Sequence, residues 1–188
     1  MHFRRRYFSI VCWLFCCFFL TGFQPQNTIL ETTKGYVEFK SQAQLEMLSA
    51  SSKELAGLID LNKRTFSFKI NIRSFQGFNS PLQREHFNEN YLESNKFPEA
   101  SFKGKIIEEV DLSKDGKYQV RTKGIFTIHG VSQERILKND ITVKNHSINI
   151  ISNFSVLLTD HNIPIPKVVY QKLVNEILVE VNATLLPR

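Results

Sequence analysis

Cysteine is scarce in this chain and crowded at one end. The three residues are Cys12, Cys16 and Cys17, and none follows them. Once an N-terminal tag is removed the chain has no thiol, which excludes disulfides, cysteine metal sites and a cysteine nucleophile. Glycine is also thin, with eight residues. They nowhere spell G-x-G-x-x-G or a P-loop, so the usual phosphate cradles are missing. No G-x-S-x-G elbow occurs. Beyond the N-terminal segment stand His86, His129, His146 and His161, without H-x-H or H-E-x-x-H spacing. That pattern offers no metal site and implies no cofactor. Asp160 and His161 are adjacent, but neighbours on a strand point to opposite faces. These absences together exclude the familiar catalytic constellations, and the expectation is a protein that is not an enzyme.

What the N-terminus does contain is a tag. Arg4, Arg5 and Arg6 form a cationic head, residues 7–20 are apolar, and Thr21–Gly22 supply small residues before a polar stretch. This is the layout of a secretory signal peptide over residues 1–22. The apolar run is shorter than the ~20 residues a spanning helix needs. The residues before Cys16 and Cys17 lack the small side chains of a lipoprotein signal. The expectation is therefore a periplasmic or secreted protein with no stable membrane insertion after cleavage. A leader over residues 23–33 and one barrel domain over residues 34–188 complete the division. The three arginines leave with the tag, taking the net charge from +6 to +3. A surface so mildly basic is not a nucleic-acid footprint.

The rest of the chain reads as strands. Residues 34–41 place Val37 and Phe39 on one face. A strand through residues 48–52 is expected to end at Gly57. Residues 62–75 alternate most strictly, with Phe66, Phe68, Ile70 and Ile72 on one side and polar residues on the other. Ser80, Pro81 and Gln83 then form a capping box that starts a helix. Leu82, His86, Phe87 and Tyr91 lie along one stripe of it, and it must stop before Pro98. Residues 101–107 alternate again. Asp115–Gly116 suits a tight hairpin turn. Tyr118, Val120, Phe126 and Ile128 share one face of the next strand, where Gly124 marks a bend or a close approach. Residues 133–144 and 147–159 form a pair, the second with Ile148, Ile150, Phe154, Val156 and Leu158 inside. A second short helix is expected over residues 167–174 and a last strand over 176–186. About eight strands with one apolar face each, and one or two short helices, make an all-β, eight-stranded antiparallel barrel. Closure removes the exposed edges that an open sheet would leave.

Several motifs in this order are recognisable. They are Gly57-Leu58-Ile59-Asp60 leading into the Phe66–Ile72 strand, His86-Phe87, Tyr91-Leu92 and Phe97-Pro98-Glu99-Ala100-Ser101-Phe102. Lys123-Gly124-Ile125-Phe126-Thr127-Ile128-His129-Gly130-Val131 follows. Together they resemble the YceI-like family over nearly the whole chain after the tag. The resemblance implies a lipocalin-like barrel, often exported to the periplasm, whose bore takes a long apolar chain such as a polyisoprenoid, fatty acid or fatty amide. It supplies no catalytic residues. Where many members carry an Asp-Phe-Gly-like turn near the end, this chain has Asp160-His161-Asn162-Ile163-Pro164-Ile165-Pro166.

The expected function is binding and carriage of such a ligand. Phe66, Phe68, Ile70, Ile72, Phe102, Phe126, Ile128, Phe154 and Val156 would line the bore. Leu82, Phe87 and Tyr91 would lie near one barrel end. His129 ends a strand at the rim, where its imidazole would bond a ligand head group or hold a backbone carbonyl. The alternative is a barrel packed solid by its own side chains, as a ligand-free envelope interaction or stress-response protein. Pairing into a homodimer is left open.

Overall fold

Inward and outward side chains alternate along every long strand, and that alternation dictates how the sheet rolls up. A computed structural model describes residues 28–43, 47–165 and 174–188. The signal peptide expected over residues 1–22 and most of the helix expected over 167–174 lie outside the described residues. Eight antiparallel strands follow in order: β1 (Ile29–Gln42), β2 (Met47–Asp60), β3 (Thr65–Asn71), β4 (Glu99–Ile106), β5 (Gly116–Ile128), β6 (Val131–Lys144), β7 (Ser147–Leu157) and β8 (Glu176–Pro187). Each pairs with its neighbours in sequence, and β1 pairs with β8 to close the barrel. The α-helix α1 (Pro81–His86) runs on into a single π turn, Phe87–Tyr91, within the long β3–β4 connection.

Tight turns are made where the backbone can turn left-handed. His129 (φ 53°) and Gly130 (φ 71°) join β5 to β6, and Asn145 (φ 49°) and His146 (φ 62°) join β6 to β7. Two successive positive φ angles are the type I′ geometry that matches strand twist. Gly116 lies in β5 without a positive φ, so the expected Asp-Gly hairpin is not formed. The β4–β5 connection is a longer loop, residues 107–115. Within it Asp111 accepts from Ser113 N and Ser113 Oγ. These bonds, with Lys114 beside them, hold the Asp111 carboxyl down at about 2.

Several boundaries differ from expectation for identifiable reasons. β1 begins at Ile29, inside the expected leader, because its first residues pair with both Asp60 and Pro187 regions of the neighbouring strands. β2 runs straight through Gly57. A Cβ there would sit 2.0 Å from Phe68 Cδ1, so this glycine makes room for a ring and does not break the strand. β3 ends at Asn71, whose side chain accepts from Arg73 N and starts a 3-10 turn holding Ile72. β7 likewise ends in a 3-10 turn, Leu158–His161. At α1 the Ser80 hydroxyl accepts from Gln83 N at 3.2 Å, while Gln83 Oε1 accepts from Asn79 N at 2.9 Å. The capping interaction thus extends one residue further back than the sequence suggests.

The floor of the barrel lies at the end that carries the 107–115 loop. Leu30, Ile59, Val120, Ile148 and Leu185 are each at most 2% exposed there. Burying one such side chain contributes about 1.5–3 kcal/mol. Midway up, Gly104 faces Gly124 across β4 and β5. A Cβ on Gly104 would meet Lys123 O at 2.1 Å, the close approach expected at Gly124.

Candidate functional site

Above the floor the bore is not filled. A cavity of about 240 Å³ runs through it, with walls that are almost wholly apolar. The alternation of β3, β4, β5 and β7 sends Phe66, Phe68, Phe102, Phe126 and Phe154 inward to its wall. Their rings touch in sequence around the barrel. Phe66 lies 4.9 Å from Phe102, Phe102 6.4 Å from Phe126, and Phe126 6.0 Å from Phe154. All the pairs are tilted or edge-on, arrangements favoured by the ring quadrupole. Ile70, Ile72, Ile128 and Val156 complete the expected lining, and each borders the cavity. The last strand adds Ile177, Val179, Val181, Ala183 and Leu158 precedes it from the β7 turn.

At the helix end the wall becomes aromatic. Phe39 stacks on Phe87 at 5.3 Å, and Phe75 and Phe78 close on the same ring at 6.0 and 5.0 Å. Half-buried Gln83, Phe87 and Tyr91 border the cavity here with Leu48, and this is where it approaches the surface. Burial pushes the Tyr91 hydroxyl up, so it remains protonated. Leu82 does not join them. It is 57% exposed and points away from the ring cluster, a correction to the expected helix stripe. The cause is the short helix: α1 ends at His86, and the π turn that follows rotates Phe87 and Tyr91 inward without Leu82.

Of the two roles expected for His129, the structure shows the hold on a backbone carbonyl and not the place at a head group. The residue is buried and does not border the cavity. Its Nδ1 donates to His161 O at 3.0 Å, and its Nε2 lies 2.7 Å from Glu93 Oε2. Both partners are acceptors, so the ring ties the connection after α1 to the β7 turn and has no nitrogen left for a head group. His161 is wholly buried. Its Nδ1 donates to Val131 O at 3.2 Å, its Nε2 has no hydrogen-bond partner among the described residues, and it meets Phe126 edge-on at 5.4 Å. Burial pushes its imidazole below the ordinary histidine value. No group of three His, Cys, Asp or Glu among the described residues is arranged to hold a metal ion.

One polar group in the bore was not anticipated. Thr122, Asn139 and Ser152 border the cavity on β5, β6 and β7, and all three are buried. Asn139 Nδ2 donates to Thr122 Oγ1 and to Leu137 O, both at 3.1 Å, and to Val120 O at 3.4 Å. Ser152 Oγ donates to Lys138 O at 3.1 Å. Beside this group β6 and β7 part company. Their ladder covers only Asp140–Lys144 against Ser147–Ile151, and above it Arg135 Nη2 reaches Ser155 O at 2.7 Å. The signal was available: strict alternation puts Asn139 inward between Leu137 and Ile141.

The comparisons with known proteins agree with this geometry. A family model described as the YceI-like domain matches residues 28–185. Among solved structures, a polyisoprenoid binding domain from Saccharophagus degradans, implicated in plant cell wall breakdown, superposes with a TM-score of 0.72 at 10% identity. The match covers 87% of this chain and 100% of that one. BcnA from Burkholderia cenocepacia gives a TM-score of 0.66 at 12% identity, covering 80% and 95% of the two chains. The YceI protein of Campylobacter jejuni gives 0.61 at 17% identity, covering 76% and 86%. At these identities the solved structures share the fold. No curated protein matches by sequence.

Proposed function

The chain belongs to the YceI-like family, and on that premise we propose that it binds and carries a long-chain apolar molecule in the bore of its barrel. A polyisoprenoid, fatty acid or fatty amide has the required form. The observation that carries this reading is the apolar cavity of about 240 Å³ between the aliphatic floor and the ring cluster beside α1. The related fold from Saccharophagus degradans is described as a polyisoprenoid binding domain, which supports the ligand class. An apolar space within a barrel bore suits a hydrocarbon chain. A longer molecule extends past Gln83 and Tyr91 at the helix end. Each methylene taken from water contributes ~0.8 kcal/mol before ordering costs. No chemistry is asked of the protein, so the reading is a carrier and not an enzyme.

Export is part of the proposal. The arginine head and the apolar run of residues 7–20 support delivery to the periplasm or beyond, with the tag removed. Solvent extraction of the protein purified from its native host, followed by mass spectrometry, tests the carrier reading. A reproducible long-chain lipid at near one equivalent supports it. An empty extract, together with no uptake of added prenyl or fatty ligands, counts against it. Intact mass of the same sample reads out the cleavage.

A further inference from the structure

We infer that the Thr122, Asn139 and Ser152 cluster is a head-group site, selecting a chain that ends in a neutral hydrogen-bond donor such as a hydroxyl or a primary amide. The inference rests on the reading of the bore as a ligand site and adds which end of the ligand enters first. Its observation is one unpaired atom. Asn139 is 8% exposed and borders the cavity. Three oxygens surround Nδ2, which fixes the nitrogen end of the amide against the wall. No hydrogen bond to Oδ1 is made among the described residues, and this oxygen is not sealed in the wall but stays open to the bore, where an incoming donor can reach it.

The neighbours make the cluster one-sided. The Thr122 hydroxyl lies 3.5 Å from Leu137 O and accepts from Asn139, and the Ser152 hydroxyl donates to Lys138 O. Their protons are turned to backbone carbonyls, so what remains toward the bore is acceptor lone pairs. A carboxylate brings only acceptors and a charge to such a place, and loses its water for nothing in return. An ether or a hydrocarbon leaves Oδ1 unpaired. A hydroxyl or an amide N–H satisfies it. A cationic amine would donate too, but among the described residues no carboxylate borders the cavity to offset its burial.

The placement also orients the ligand. Thr122 is level with Ile106 and Asn139 with Val120, near the floor, while Phe102 and Phe126 pair nearer the helix end. The head therefore lies deep, and the tail runs out through the phenylalanine belt toward Phe87 and Tyr91. Specificity of this kind is stronger than an apolar pocket achieves alone, because the wrong ligand strands a polar group.

The test is a matched series: 1-decanol, decanamide, 1-methoxydecane and decanoate, each competed against a fluorescent fatty probe at pH 8. The alcohol and amide should bind at least about tenfold tighter than the ether and the carboxylate. In Asn139→Leu that margin should collapse to within about threefold while chains still bind. Should the leucine variant misfold, the four ligands on the unaltered protein still decide. Equal binding of alcohol and ether overturns the head-group site and leaves the apolar carrier standing. No displacement by any of the four overturns the carrier reading itself.

Discussion

At the end carrying the 107–115 loop, the bore stops on Leu30, Ile59, Ile148 and Leu185, aliphatic side chains exposed by 2% or less. At the α1 end it stops on Phe39, Phe75, Phe78 and Phe87, rings with centroids 5.0–6.1 Å apart, three of them only half-buried. The first set interlocks between neighbouring strands of the closed barrel, with Leu30 opposite Ile59 and Ile148 opposite Leu185. The second is gathered from separate elements: Phe39 from β1, Phe75 and Phe78 from the connection after β3, and Phe87 from the π turn, with ring contacts joining them. Branched aliphatics in a closed barrel have no second arrangement of similar energy. Flat rings brought together from a strand, a loop and a π turn can slide past one another. A change at the floor should therefore be read as stability, and a change at the ring cluster as access for the ligand.

The largest break in that comparison is Leu185→Ala. With no exposure and strands on both sides, the site cannot collapse, and unfolding in urea should show a loss of about 2–5 kcal/mol. Ligand affinity of the folded fraction should hold. Phe87→Ala should cost less, about 1–3 kcal/mol, since the ring is only partly withdrawn from water. Stopped-flow dissociation of a bound fatty probe should instead speed up several-fold. Equal stability losses at the two sites would erase the distinction between the ends.

The histidine tie sharpens it further. Burial holds the His161 imidazole below its ordinary value. In the unfolded chain it takes a proton below pH ~6.5. The unfolded state then binds more protons than the folded one, so stability falls as the pH drops through that value toward the lowered one. Urea midpoints between pH 8 and pH 5.5 should slope downward, and the slope should flatten in His161→Gln. An unchanged slope would mean that carboxylates carry the acid response. The smallest effect belongs to Leu82→Ala. At 57% exposure it should shift stability by no more than ~0.5 kcal/mol and leave binding alone.

The strands were legible because period-2 alternation is a direct record of which face is buried. Phe66, Phe68, Phe102, Phe126 and Phe154 were placed inward by that rule alone, and they border the cavity. What was not legible depended on partners far along the chain. Gly57 looks like a breaker until Phe68 is brought across the ladder to fill its missing side chain. Leu82 looks like part of an apolar stripe until the π turn shifts the phase of the helix. His129 looks like a rim donor until Glu93 and His161 O arrive from two other connections. Asn139 differs from these. Its inward position follows from the same alternation that places the phenylalanines, since Leu137, Asn139 and Ile141 share one face of β6.

The central claim is that hydrocarbon occupies the bore. Isotope-filtered NMR of the labelled protein with an unlabelled ten-carbon alcohol tests it most directly. The account predicts cross-peaks from the ligand's methylene protons to the rings of Phe66, Phe102 and Phe126, with the carbinol protons nearest Asn139. Cross-peaks confined to outward residues such as Ile125 and Ile136, with silent bore rings, would contradict it.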